Sequence, residues 1–310
     1  MDNVTIYSIN HKCNMNITDS VYGEIEFTGS TTRVIHSQPI QRLKNIHQGG
    51  AIFLAYPAIR TSRFDHSLGV CHLIKTLGGS EKEQIAGLVH DVSHTAFSHV
   101  IDYVLENINE DFHEKNKLRF LLNEDLSRIL YSIEFNPKEF LDDDKFYLLE
   151  AKLPALCADR IDYTLRDLVA WGKISQQEAQ EFVCSLRVVK GKIAVESIYW
   201  AQWFQNNYEY LNHHFFGNRK NVFVNLEFAK LLKKALNMNL LQIEDFFKDD
   251  DFIMNRINKH TVMRKDLEQI KIKLKIKNNS LFSTKFKQRI VDPLIIDNGE
   301  VIPLSKCVDS

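Results

Sequence analysis

His90 and Asp91 stand side by side at the polar end of an apolar run, Gln84-Ile85-Ala86-Gly87-Leu88-Val89. Adjacent, they offer a divalent cation one neutral nitrogen and one anionic oxygen from a single helical turn. A second histidine, His66, lies in Arg63-Phe64-Asp65-His66-Ser67-Leu68-Gly69-Val70, and Asp159 lies far downstream in Cys157-Ala158-Asp159-Arg160-Ile161-Asp162-Tyr163. His66, His90, Asp91 and Asp159 make a four-ligand set of two nitrogens and two carboxylates. Its two negative charges offset a 2+ ion, and the mixture suits Mn, Fe, Mg or Zn better than a thiolate site would. Such an ion polarises a phosphoryl oxygen and lowers the pKa of a bound water. Any one of these histidines taken alone is as easily a packed core or surface residue; the set carries the reading.

Other groups gather around these four. His94 follows His90 by four residues and shares its helical face. His99, Asp102 and His113 continue the run. An imidazole that is not a ligand can protonate a leaving oxygen or orient a water, and Asp102 can hold a histidine in one tautomer. For His99 and His113, helix capping or surface placement is the competing reading. Arg63 precedes His66 by three residues and Arg160 follows Asp159 directly, so two cations near a metal fit a polyphosphate. Structural ion pairing is the alternative, above all for Arg160. Tyr163 and Asp167 follow Asp159 by four and eight residues, on its face, where a sugar hydroxyl could be met.

The elements that must position these groups are mostly helical. Residues 1–30 alternate, as in Val4-Thr5-Ile6-Tyr7-Ser8-Ile9 and Gly23-Glu24-Ile25-Glu26-Phe27, and read as strand or loop. Helical texture starts at Thr32, with Ile40, Leu43 and Ile46 at helical spacing and Gly49-Gly50 as the stop. Thr61-Ser62 can cap the helix from Arg63. Residues 81–106 predict the His-Asp helix with its continuation, kinked around Thr95-Ala96-Phe97. Phe112–Leu130, Pro137–Tyr147 and Leu153–Trp171 read as further helices. Residues 186–198 predict a hairpin turning at Lys190-Gly191. Ile198 to about Leu236 reads as a long aromatic-rich helical region, and Leu241–Asn258 as a short pair of helices. Ile270-Lys271-Ile272-Lys273-Leu274-Lys275-Ile276 alternates strictly and predicts a strand with a lysine face. Pro293 and Pro303 flank a final extended segment.

The chain has 310 residues, 44% hydrophobic and 25% charged, enough for a full core. Its formal net charge of -1 provides no field to draw it onto nucleic acid or anionic membrane. Five widely spaced cysteines without a Cys-x-x-Cys argue against a disulfide framework and a zinc ribbon. Neither a signal peptide nor a membrane-length apolar run is present, so a cytoplasmic location is expected. Charge on the lysine face, with Lys285, Lys287 and Arg289 nearby, is the best support for a different class of function, a nucleotide sensor or nucleic-acid binder; an edge strand guarded by lysines explains the same pattern.

The residues quoted above, with Gln41-Arg42-Leu43-Lys44-Asn45-Ile46-His47-Gln48, His94-Thr95-Ala96-Phe97-Ser98-His99 and Phe112-His113-Glu114, resemble the HD-domain phosphohydrolases. The resemblance is nearest to the dNTP triphosphohydrolase branch, which holds dGTPase-like proteins and the sterile-alpha-motif and HD-domain dNTPase. It is strong over residues 17–170. It implies a mainly α fold, an HD helical bundle with short β-hairpins, as a core over 1–240 with a small α+β C-terminal appendage over 241–310. It implies His66, His90, Asp91 and Asp159 as ligands of one divalent ion per site, with Co and Ni added to the candidates. It implies His94, His99, Asp102 and His113 as the catalytic or water-positioning set, and Gln48, Arg63, Arg160, Tyr163 and Asp167 as contacts to deoxyribose and phosphates. Arg160 stands where the family often has lysine. The implied reaction is hydrolysis of a dNTP to deoxynucleoside and triphosphate by a homodimer or higher oligomer. Another nucleotide phosphoester, a dNMP, cyclic nucleotide or alarmone, is the alternative substrate.

Overall fold

A computed structural model describes residues 14–275, 289–297 and 299–307. Val4–Ile9, Ile276, Lys285 and Lys287 lie outside the described residues. The chain opens with an antiparallel hairpin, β1 (Met15–Asp19) and β2 (Gly23–Phe27). Helices α1 (Ser30–Ile35) and α2 (Gln38–Arg42) follow, then α3 (Arg63–Thr76) and α4 (Glu81–Val89). The Ser62 side chain accepts from Asp65 N, and Asp65 in turn accepts from Ser62 N, so a reciprocal capping box starts α3. Nearly all of α3 is buried, including Phe64, Leu68, Val70, Leu73 and Ile74 beside Arg63 and His66, so it lies at the centre of its domain. It packs on α4 and on α8 (Ala158–Ala170).

Between α4 and α8 run α5 (Val100–Leu105), α6 (Phe112–Leu121) and α7 (Glu124–Ser132). The helix expected over 81–106 is broken: Phe97 and Ser98 have φ of 60° and 54°, two consecutive non-glycine residues in the left-handed region. Each costs about 1–3 kcal/mol unless its surroundings hold it. The helix expected over Phe112–Leu130 is two, because the Asn123 side chain accepts from Asp125 N and starts α7. Pro137–Phe140 and Asp143–Lys145 are single 3₁₀ turns, so no α-helix forms over 137–147.

After α8 come α9 (Gln176–Cys184) and the hairpin β3 (Leu186–Val189) and β4 (Lys192–Val195), turning at Lys190-Gly191 as expected. The aromatic-rich region is α10 (Ile198–Leu211), a π turn at Asn212–Phe216, and α11 (Arg219–Asn237), which the Asn218 side chain caps through Lys220 N. A 3₁₀ turn at Ile243–Phe247 leads to α12 (Asp250–Lys259) and α13 (Thr261–Lys275).

The lysine-faced strand expected at Ile270–Ile276 is overturned: residues 270–275 are the end of α13. Met263, Leu267, Ile270 and Leu274 are buried at helical spacing, and that longer register overrides seven residues of local alternation. Two of its lysines are paired, Lys271 with Glu268 and Lys273 with Glu227, and they stand on a helix instead of on one face of a strand. The final segment forms β5 (Leu294–Asp297) and β6 (Glu300–Pro303). β5 lies parallel to β4, giving one four-stranded sheet in the order β3-β4-β5-β6. No helix among the described residues is long and apolar enough to cross a membrane.

Gly69 in α3 is where this packing is tightest: a Cβ there would overlap the side chains of Asp162 and Arg166 on α8. Gly69→Ala should therefore destabilise by about 1–3 kcal/mol, the range for overpacking a core. Equilibrium urea denaturation checks this, and a loss below about 0.5 kcal/mol, the range of an ordinary surface change, would show that α8 can retreat.

Candidate metal centre and its surroundings

His66 comes from the first turn of α3, His90 and Asp91 from the end of α4, and Asp159 from the first turn of α8. Their donor atoms converge. His66 Nε2 lies 2.9 Å from Asp159 Oδ1, 3.2 Å from His90 Nε2 and 3.6 Å from Asp91 Oδ2. His90 Nε2 lies 3.5 Å from Asp91 Oδ1 and 3.6 Å from Asp159 Oδ1. Ligands at about 2.0–2.2 Å from one ion in tetrahedral or octahedral geometry are roughly 2.8–3.6 Å apart, so the spacing fits a shared cation.

Tautomers set from behind strengthen the fit. His90 Nδ1 is 2.9 Å from Gly87 O, which can only accept, so this nitrogen donates. His66 Nδ1 donates to Asp162 Oδ2 at 2.7 Å. In the neutral rings, both Nε2 lone pairs then face each other across 3.2 Å, with carboxylate oxygens on either side. Such a cluster of acceptors calls for positive charge. Burial opposes a charge on His66, yet Asp159, Asp162 and Asp91 raise its pKa to about 10. Burial likewise opposes ionisation of the carboxylates, but Arg63, His90 and His94 hold Asp91 well below its usual range, and His66 and His90 do the same for Asp159. Asp159 has 23% of its side chain exposed and the other three at most 9%, so the centre opens on the Asp159 side.

The sequence reading did not single out the support behind His66. Asp162 is fully buried and is held by Arg166 Nε at 2.9 Å, by Arg166 Nη2 at 2.8 Å and by the Tyr22 hydroxyl at 2.8 Å. Arg166 also pairs with Asp19 at 2.9 Å. The signal was present: Asp162 and Arg166 follow Asp159 by three and seven residues on one helix. Lys117, on α6 four residues after His113, was also missed; it is buried and doubly bonded to Asp143.

The other histidines form a second cluster against Asp91. His94 Nε2 lies 3.1 Å from Asp91 Oδ1, and the His94 ring stacks on His113 with centroids 4.0 Å apart. His99 meets both rings edge-on. Burial, with Arg63 and His113 nearby, holds the His94 pKa well below its ordinary value, and burial with His99 lowers that of His113 to about 3. Both are neutral near pH 7, and the Nδ1 atoms of both are buried without a protein partner. One nitrogen from each of His94, His99 and His113 lies within 4.8 Å of the others. Asp102 accepts from Asn107 Nδ2 at 2.7 Å and from Phe112 N at 3.3 Å, fixing the turn that carries His113; its approach to His99 Nδ1 is a long 3.4 Å.

The five residues expected to touch substrate are placed unequally. Arg63 is buried, giving Nη1 to Asp91 at 2.6 Å and Nε to Ser98 Oγ at 2.9 Å. Gln48 is paired through its backbone to Thr61 O, and its side-chain oxygen is buried without a partner. The Tyr163 and Tyr208 hydroxyls are 3.0 Å apart. Asp167 is buried, which raises its pKa to about 7. Arg160 is turned to the loop before α8, donating to the carbonyls of Ala151 and Ala155, with Glu150 at 3.5 Å. That is structural pairing, though with carbonyls more than with the metal-site carboxylates.

Asp162→Asn should weaken divalent-ion retention about 10- to 100-fold, the usual effect of removing a partner behind a ligating histidine. Competition with a chelator measures this; unchanged affinity with intact circular dichroism would remove Asp162 from the centre.

An HD domain model matches residues 63–167. The chain is 41% identical over 287 residues to the uncharacterized protein YdhJ of Bacillus subtilis, covering 91% of this chain and 88% of that one. It is 40% identical over 174 residues to the metal-dependent phosphohydrolase cns2 of Cordyceps militaris, covering 55% of this chain and half of that one. It is 37% identical over 101 residues to human deoxynucleoside triphosphate triphosphohydrolase SAMHD1, covering 28% of this chain and 16% of that one. The matched segment runs from Arg63, at the start of α3, to Asp167 on α8, and so spans all four converging donors. The chain belongs to the HD-domain family of metal-dependent phosphohydrolases.

Proposed function

We propose that this phosphohydrolase acts on deoxynucleoside triphosphates, with His66, His90, Asp91 and Asp159 as the metal ligands. The observation that carries the reading is the gathering of four donor groups beside neutral histidines whose Nδ1 atoms have no protein partner. The partial likeness to a dNTP triphosphohydrolase over 101 residues supports the substrate. A bound divalent ion supplies positive charge to a phosphoryl oxygen and lowers the pKa of water.

The remaining chemistry belongs to the side chains. A water oxygen bonds to the α-phosphorus, the bond from phosphorus to the 5′ oxygen breaks, and the products are deoxynucleoside and triphosphate. His94 and His113, neutral and with buried Nδ1 atoms that have no protein partner, fit acceptance of the water's proton. His99, 44% exposed and backed by Asp102, fits proton delivery to the departing 5′ oxygen. Gln48 has an acceptor to offer a sugar or base, and Tyr163 and Asp167 lie along the same helix as Asp159. Arg63 holds Asp91 in place, and Arg160 shapes the loop before α8.

The test is incubation of metal-loaded protein with each dNTP and with their mixture, assaying deoxynucleoside and triphosphate. Turnover should vanish in Asp91→Ala and fall about 10²- to 10⁴-fold in His94→Asn, as for loss of a general acid or base. Absence of turnover with Mn, Mg, Fe, Co or Zn would sink the dNTP assignment; the same assay would then move to monophosphates, cyclic nucleotides and alarmones.

A further inference from the structure

The segment from Val92 to His99 carries two of the site's histidines, and no regular helix holds it. Its left-handed turn at Phe97 and Ser98 persists only where neighbours fix it. Those neighbours come from the distant segment 246–250. Asp250 Oδ1 accepts from Phe97 N at 2.6 Å, and Phe246 O accepts from Ala96 N at 2.8 Å. Arg42 joins the same two segments: it donates to Val92 O and His94 O on one side and to Phe247 O and Lys248 O on the other.

Asp250 reaches further through its second oxygen. Oδ2 accepts from His47 N at 3.0 Å and from His47 Nδ1 at 2.7 Å. His47 O accepts from Ser98 Oγ at 2.7 Å, Ser98 Oγ accepts from Arg63 Nε, and Arg63 Nη1 donates to Asp91. One carboxylate is thus tied to the turn before His99, to the residue before Gln48, and from there through three more hydrogen bonds to Asp91. Asp250 is 3% exposed, and capping α12 does not require it, because the Asp249 side chain does that through Phe252 N.

We propose that Asp250 is a positioning residue, fixing the 94–99 segment and Gln48 against the metal centre through Phe97 N and His47. Its effect on turnover rests on the phosphohydrolase reading above; its effect on the backbone does not. Asp250→Asn keeps the shape and removes the charge that gathers three donors.

The experiment uses the full chain and two measurements. In hydrogen exchange, Asp250→Asn should speed exchange across 94–99 by about tenfold or more while α3 and α4 keep their protection, a local opening. Acceleration spread evenly over the core, or none at 94–99, would overturn the proposal. For turnover, the probe is whichever phosphoester the wild type hydrolyses. Asp250→Asn should lower kcat about tenfold with KM little changed, and should cost less than about twofold when His99 is already alanine, because the two act through one position. Independent, multiplying losses would reduce Asp250 to general stability and overturn the proposal. His47→Ala, which removes the ring but keeps the backbone link, is the second variant should Asp250→Asn not fold, with the same exchange pattern expected at smaller size. If the wild type turns over no phosphoester, the exchange measurement alone decides the positioning claim, and the functional reading fails separately.

Discussion

Two histidine nitrogens lie 3.2 Å apart with carboxylate oxygens of Asp159 and Asp91 within 3.6 Å of each, and the design of the domain follows from making that tolerable. Like charges and lone pairs repel at that range, strongly so where water is excluded. Two things must be supplied: positive charge at the centre, and rigid backing so that the donors cannot turn away. Backing accounts for much of the interior. Asp162 fixes His66, Arg166 fixes Asp162, and Asp19 and Tyr22 of the N-terminal hairpin close the network. Gly69 is needed so that α8 can bring this polar layer against α3. The hairpin, which looks peripheral in the chain, is therefore part of the third layer behind a ligand.

The two histidine clusters meet at Asp91. One oxygen of Asp91 faces His94 and the other faces Arg63, so its charge is shared between the histidine cluster and the arginine. Burial does opposite things on the two sides. On the metal side it is overcome by surrounding opposite charge; at His94 and His113 it is not, and those rings stay neutral. Opposite charge states are favoured for one residue type according to whether carboxylates or other imidazoles are the neighbours.

Legibility in the sequence follows interaction range. His90-Asp91, His66 and Asp159 were readable because ligand chemistry restricts residue types, and Ser62 because a capping box is local. The hairpin at Lys190-Gly191 was readable for the same local reason. The strand expected at Ile270–Ile276 failed because the Lys-Ile alternation says nothing of the three preceding turns whose apolar positions fix α13. The break at Phe97-Ser98 was placed nearly right as a kink, but its cause lies beyond local reading: the group that holds it is 153 residues away. Arg160 shows the other limit. Its type and position suit phosphate, but only three-dimensional structure shows its guanidinium turned to carbonyls of the preceding loop.

That 153-residue separation has a consequence for the chain as it is made. Every residue of the metal centre and the histidine cluster leaves the ribosome well before Asp250 does. A nascent chain arrested near residue 240 would contain the whole HD motif and all four metal donors, yet the turn before His99 would lack its anchor. The four donors and the hairpin residues that back them are thus all in place in the chain before the anchor of that turn is made.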